Sequence, residues 1–351
     1  MTASPRRAAL RALAGLALVA AAPLAASCAI PTSAVRDAEG KAVIRYQGWP
    51  GTVLWQELAE DLGYFHKVKL QWVGSTTSGP QDIQSVATDQ VDVGQAFDGA
   101  VVKLVAAKAK VQSVITYYGA DQVEPNTAYV VLDDSPIRDS KDLIGKSVAL
   151  NTMGAHSEMV LREWLFRQGV PEQEAGKLTE VVVPPVSQET ALRNRQVDAA
   201  ALSGGFLIAA ERRGGLRRVF SDQSLFGPFG YGSQVFRKGY IQANPDVLKD
   251  YVQGVARALV WAQSRAPEEV RAKFLDIIRR RHRAESVEAV QYYMTSTVPA
   301  KGGVMRDAEF QVWIDRLVRT GKLSPGQVRA EDAYTNEFNP YLAGEEQGAA
   351  A

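Results

Sequence analysis

From Ala42 onward the apolar positions switch repeatedly between a period of two and a period near 3.6. Val43-Ile44-Arg45-Tyr46 reads as a strand, and Gly48-Trp49-Pro50-Gly51 interrupts it. Leu54, Leu58 and Leu62 then fall on one helical face, which Gly63 ends. Residues 68–73 predict the next strand. Ser78-Gly79-Pro80 opens a helix running to about Asp89, because proline suits a first turn, and Val91-Asp92-Val93-Gly94 predicts a third strand.

The same order returns about a hundred residues later. It runs as a strand at 147–150, a glycine-containing loop at 151–155 and a helix at 156–168 stopped by Gly169. A strand at 181–183, a helix at 188–195 and a strand at 197–202 follow. Gln90-Val91-Asp92-Val93 is answered by Gln196-Val197-Asp198-Ala199. Repeated strand–helix alternation predicts two α/β lobes of like topology with parallel-rich sheets flanked by helices. Strand-like segments at 127–132 and 230–237 connect the lobes. After the second come mostly helices, at 245–264, 267–281, 286–295 and 306–320. The expected organisation is lobe 1 from 41–132 plus 231–345 and lobe 2 from 133–230. Two crossings of this kind make a hinge, with the ligand in the cleft between the lobes.

The first forty residues carry a different pattern. Arg6, Arg7 and Arg11 precede an apolar, alanine-rich run at 13–26, too short to span a bilayer comfortably, which reads as a secretory signal. Ser4-Pro5-Arg6-Arg7 also resembles a loose twin-arginine signal, so either export route stays open. Cys28, the chain's single cysteine, ends the run in Leu24-Ala25-Ala26-Ser27-Cys28. That arrangement resembles a bacterial lipobox, with Ala25 where a larger aliphatic residue is usual. It predicts a signal peptide at 1–28, lipidation at Cys28 and a small, polar tether at 29–40. From Ala29 onward no segment reads as a membrane span.

Composition adds mainly exclusions. The 351 residues are 46% hydrophobic and 23% charged, with a net charge of +1, which argues against a nucleic-acid surface. The dense basic run Arg279-Arg280-Arg281-His282-Arg283 reads as the exposed end of a helix. His66, His156 and His282 are too widely spaced for a metal pattern, so neither a metal nor a cofactor is expected. The nucleophile elbow, the phosphate loop and the dinucleotide fingerprint are all missing.

Taken in order, Ile44-Arg45-Tyr46-Gln47, Ala59-Glu60-Asp61-Leu62-Gly63-Tyr64-Phe65, Ser78-Gly79-Pro80-Gln81-Asp82-Ile83-Gln84 and Gln90-Val91-Asp92-Val93-Gly94 form a recognisable series. Lys141-Asp142-Leu143-Ile144-Gly145-Lys146-Ser147-Val148-Ala149 and Asn244-Pro245-Asp246-Val247 continue it. The series resembles the binding proteins of ABC importers for sulfonates, taurine and nitrate, a group that includes binders of thiamine-pyrimidine precursors. The resemblance implies a two-lobe fold of the periplasmic-binding-protein type II class. It further implies a monomer that captures a small molecule without catalysis and delivers it to an ABC permease and its ATPase. An enzyme on the same fold, or a ligand-sensing lipoprotein without a transporter, are the rival expectations.

In such lobes the ligand meets strand ends and helix starts, where free N–H groups collect. Those points are Gln47-Gly48-Trp49, Ser78-Gly79, Asp98, Gly154-Ala155-His156-Ser157, Gln188-Glu189 and Ser203. Ser78 either donates to a ligand oxygen or caps its helix, while Gly79 lets the backbone approach. Trp49 either stacks on the ligand or packs loop against lobe. Of Tyr117 and Tyr118, one faces the core and the other the cleft. Asp98 stands where the taurine-like pattern has a hydroxyl residue. It either faces the cleft, favouring a ligand with a hydrogen-bond donor, or turns away; Glu189 poses the same choice. Ser203 replaces a tryptophan common in relatives, leaving room.

Overall fold

The computed structural model describes residues 33–343. The expected signal peptide, Cys28 and the start of the expected tether lie outside the described residues, as do 344–351. The first sheet is built by β1 (Ala42–Gly48), β2 (Val68–Ser75), β3 (Val93–Phe97) and β4 (Val111–Ala120). These alternate with α1 (Trp55–Asp61), α2 (Gly79–Ala87) and α3 (Asp98–Ala106). The chain then crosses to the second sheet, with β5 (Thr127–Leu132), β6 (Ser147–Leu150), β7 (Thr179–Val182), β8 (Ala199–Ser203) and β9 (Leu216–Ser221). Its helices are α4 (His156–Arg167), α5 (Glu172–Ala175), α6 (Pro185–Arg193) and α7 (Gly204–Arg213), and α8 (Asp222–Phe226) begins the return. β10 (Phe229–Arg237) re-enters the first sheet. It is followed by α9 (Lys238–Ala243), α10 (Pro245–Gln263), α11 (Pro267–Arg281), α12 (Glu288–Gln291), α13 (Asp307–Arg319) and α14 (Ala330–Ala333).

The sheet orders are β2-β1-β3-β10-β4 and β7-β6-β8-β5-β9. In each, three strands pair in parallel and the strand arriving from the other lobe inserts antiparallel at the fourth position. This equivalence corrects one expected boundary. The segment 127–132, assigned to lobe 1, is β5 of the second sheet, so the first crossing lies between Ala120 and Thr127. A reversed strand hydrogen-bonds into the sheet it enters, which periodicity alone does not reveal.

The repeated Val-Asp pair has one structural job in both lobes. Asp92 accepts the backbone N–H of Arg45 at 2.9 Å and returns its own N–H to the Arg45 carbonyl. Asp198 does the same with Ser147, at 2.8 Å. Each aspartate thus ties the approach to β3 or β8 to the parallel neighbour, β1 or β6, fixing the register from which the loops at the far strand ends depart.

The basic run departs from its expected exposure. Arg279, Arg280 and His282 are exposed, whereas the Arg281 and Arg283 side chains are only 9% and 15% exposed. Both donate to buried Glu57, at 2.7 and 2.8 Å, and Glu57 also accepts from Tyr46 Oη and from the Leu54 N–H. Arg281 pairs in addition with Glu285, which accepts the Gly51 N–H. Two desolvated guanidiniums sharing one carboxylate hold the β1–α1 loop against the chain that follows α11. That following stretch was expected to be a helix at 286–295. Only the single turn α12 forms, and the rest is an irregular strap towards the second lobe. A Cβ on Gly205 at the start of α7 would lie 2.1 Å from the Ala289 carbonyl oxygen, so the strap rests directly on the second lobe.

Beneath this frame lies Asp82 on α2, fully buried, with one oxygen accepting the Gln95 N–H at 2.8 Å and the other unpartnered. Burial pushes its carboxyl up to about 7. The folded state therefore holds this proton more tightly than the unfolded chain. The stability that Asp82 contributes falls as pH rises from about 4 to about 7 and is level above that. The Asp82→Asn variant should melt with less loss than the parent between about pH 5 and pH 8. Equal losses in parallel thermal melts would rule out Asp82 as the titrating group.

Candidate ligand-binding site

Between the sheets lies a cavity of about 380 Å³. Its floor comes from strand ends and helix starts of both lobes: Gln95 and Phe97 of β3, Tyr117 and Tyr118 of β4, and the starts of α2, α4 and α7. Crossing residues Glu124, Asn126 and Thr127 form one side, and strap residues 289–297 close another. The β1–α1 loop pinned by the Glu57 cluster supplies Trp49 and residues 51–55. Aromatic side chains recur around it: Trp49, Trp55, Phe97, Tyr117, Tyr118, Phe206, Phe274, Tyr292 and Tyr293. Glu124 is the carboxylate on the wall, and among the described residues no lysine or arginine lines it.

The polar groups divide into committed and free. Trp55 Nε1 donates to the Tyr117 carbonyl at 2.6 Å, Ser157 Oγ donates to Asn151, and the Ser203 and Thr127 hydroxyls lie 2.7 Å apart. His156 Nε2 lies 3.0 Å from Asp222 Oδ2, and its Nδ1 lies 3.3 Å from the Tyr118 hydroxyl. With Nε2 donating to the carboxylate, a neutral imidazole accepts from Tyr118 at Nδ1. Burial holds the Tyr118 and Tyr117 hydroxyls well above the ordinary phenol range, keeping both as neutral donors. By contrast, Trp49 Nε1, Gln95 Oε1, Gln188 Nε2 and Tyr293 Oη are buried on cavity-lining side chains without a hydrogen-bond partner. Buried polar atoms are ordinarily satisfied, and these four, spread over the β1–α1 loop, β3, α6 and the strap, leave hydrogen-bonding capacity around the cavity unmet.

Of the positions expected at the cleft, Trp49, Gly79, Tyr117, Tyr118, Ala155, His156, Ser157, Gln188 and Ser203 line this cavity. Gly79 has a packing reason as well, since a Cβ there would stand 3.2 Å from the Gln95 carbonyl oxygen. Both tyrosines line the wall, where one was expected in the core. Gln47, Gly48, Ser78, Asp98, Gly154 and Glu189 do not. Asp98 turns into the first sheet, accepts from Ser233 Oγ at 2.6 Å and is fully buried, which holds its carboxyl well above the usual range. Of the two orientations open to Asp98, the structure has the one turned away from the cleft: the first turn of α3 packs on β10 and carries the side chain with it. Ser78 precedes α2 without capping it through its hydroxyl. Gly48 sits against Arg283 and Trp72. Glu189 pairs with Arg193 and Arg213 on the outer surface of its helix. Gly154 gives its N–H to Glu158 and its carbonyl to Lys103.

Sequence reasoning missed Gln95, Trp55, Phe274 and the strap. Tyr292-Tyr293 offered a signal, being an aromatic pair in a stretch without a clean helical stripe.

Among curated proteins none matches the chain. Among solved structures, the periplasmic aliphatic sulphonate binding protein SsuA of Escherichia coli superposes with a TM-score of 0.63 at 20% identity, over 83% of this chain and 91% of that one. The periplasmic nitrate-binding protein NrtA of Synechocystis PCC 6803 gives 0.63 at 11% identity, over 88% of each chain. A mutant of DszB in complex with biphenyl-2-sulfinic acid gives 0.58 at 15% identity, over 84% of this chain and 97% of that one. These likenesses place the architecture among periplasmic-binding-type folds. The family model described as NMT1/THI5 like matches residues 57–269, more than half of the sequence and all of the second lobe, and the chain belongs to that family.

Proposed function

We infer that the protein is an extracytoplasmic solute-binding protein that holds a small polar organic molecule between its lobes for an ABC importer. The observation that carries this reading is the cavity wall with its four unpartnered polar atoms. Three are donors (Trp49, Gln188 and Tyr293) and one, Gln95, is an acceptor, all set among aromatic faces. The sulfonate- and nitrate-binding proteins of like fold support the binding role.

The wall also narrows the ligand. An anion buried where no lysine or arginine answers it loses its hydration without an ion pair. Neutral donors, one acceptor and aromatic faces suit a planar heterocycle, and Glu124 at the side suits an amino substituent. A pyrimidine-like ligand therefore fits this wall better than a sulfonate, a taurine-like molecule or nitrate.

A second reading has one observation in its favour. The Tyr118–His156–Asp222 chain sets an imidazole backed by a carboxylate on the cavity wall, an arrangement able to move a proton. DszB, in complex with a sulfinic acid, shares the fold. Recovery of unchanged ligand after long incubation favours binding alone, and a new product favours the enzyme.

Titration calorimetry against nitrate, sulfate, taurine, alkanesulfonates and an aminopyrimidine tests the ligand class. The aminopyrimidine should bind tightest, and Gln188→Ala should weaken it by roughly threefold to tenfold through one lost hydrogen bond. Tight binding of nitrate or a simple sulfonate, with no aminopyrimidine heat, would refute the assignment.

The reading includes attachment to the outer face of the cytoplasmic membrane by a lipid on Cys28. Cys28→Ala should move the protein from the membrane to the soluble fraction of fractionated cells. A variant that stays membrane-bound would show that the anchor lies elsewhere.

A further inference from the structure

A second pocket, of about 210 Å³, opens between α4–α5 of the second lobe and α13 of the first, and it shares no lining residue with the ligand cavity. Its walls set Arg162, Arg316 and Lys322 against Glu158 and Glu172. Arg316 is only 4% exposed, yet its Nη1 has no hydrogen-bond partner. Glu163 Oε2 lies 3.6 Å from Nη1 and Glu172 Oε1 lies 3.7 Å from Nη2, within ion-pairing range and beyond hydrogen-bond reach.

The surrounding carboxylates are already committed. Glu163 accepts from Arg167 Nε and from Arg319 Nη2. Glu158 accepts the Gly154 N–H, and Glu180 accepts from Arg162 Nε. Glu172 is 58% exposed and shares its charge with solvent. Arg316 is thus a buried cation whose carboxylates stand beyond hydrogen-bond reach. Burial pushes its guanidinium below the ordinary arginine range, as expected of a charge short of partners.

We propose that this pocket is an anion site, separate from the ligand cavity, which takes a small oxyanion of the phosphate or sulfate class on Arg316, flanked by Arg162 and Lys322. The planar guanidinium presents paired N–H groups that match two oxygens of such an ion. Arg316 belongs to α13 and Arg162 to α4, so an anion held by both bridges the lobes. Its binding is therefore linked to their arrangement and to ligand affinity in the main cavity.

The test is a thermal melt of the purified protein titrated with inorganic phosphate, with sodium chloride adjusted to keep ionic strength constant. Phosphate and sulfate should raise the melting temperature saturably, and chloride should not. Arg316→Met should weaken phosphate by about tenfold or more, the loss of hydrogen bonds to a charged group. Lys322→Gln, at the exposed rim, should weaken it by a smaller factor and melt like the parent without anion. An unchanged phosphate response in Lys322→Gln and Arg316→Met, or no saturable rise in the parent, overturns the proposal and leaves Arg316 in a water-bridged ion network. Should Arg316→Met fail to fold, the Lys322→Gln response decides alone. Organic phosphates that match inorganic phosphate would make the terminal phosphoryl group the recognised unit, whereas weaker response to them would confine the pocket to the free ion.

Discussion

The carboxylate of Asp222 is the point on which the two-lobe arrangement turns. It is fully buried at the start of α8, in the second crossing. Its Oδ2 accepts the N–H of Thr127, which opens β5 at the end of the first crossing, at 2.9 Å. The same oxygen meets His156 Nε2 at the start of α4. One charge thus joins both crossings to the helix that presents the cavity's histidine. The neighbouring Gln223 repeats the tie by donating to the Asp121 carbonyl at 2.8 Å. A buried carboxylate is costly unless it is satisfied, so the crossings and the cavity wall are held in register by the need to satisfy it.

The Glu57 cluster does the corresponding work at the other side of the cavity. It fixes the β1–α1 loop and anchors the strap from which Tyr292 and Tyr293 reach the wall. The cavity is therefore bounded by two satisfied charge centres, while the wall between them keeps unpartnered neutral atoms. The charges at the two centres set geometry, and the neutral groups between them keep hydrogen-bonding capacity to spare. The contrast extends to Arg316, a buried charge in the same molecule that the protein does not fully satisfy.

The sequence foretold the fold where local pattern and tertiary structure agree. The strand–helix alternation, the two crossings and the repeated Val-Asp pair all stand in the structure, the last with a matching backbone bond in each lobe. The boundary at β5 was misplaced because the pairing partner of a reversed strand is a long-range fact. The site was legible at strand ends, which the fold rule locates, and illegible at Asp98, where helix packing decides which way a carboxylate turns. Arg281 and Arg283 looked like solvent-facing charge because their partner, Glu57, lies more than two hundred residues earlier in the chain. The strap was hidden because residues 286–295 carry enough helix formers to suggest one, while only the turn α12 forms there and the rest packs irregularly against the second lobe.

Among the described residues the cavity is rich in rings, furnished with neutral donors and without lysine or arginine, and what it holds follows from that lining. The most direct measurement is mass spectrometry of the small molecules released when freshly purified protein is denatured. A ring compound without a strongly acidic group, present at about one per chain, is the predicted result. A sulfonate or nitrate carried at that stoichiometry would mean that the cavity is built for an anion.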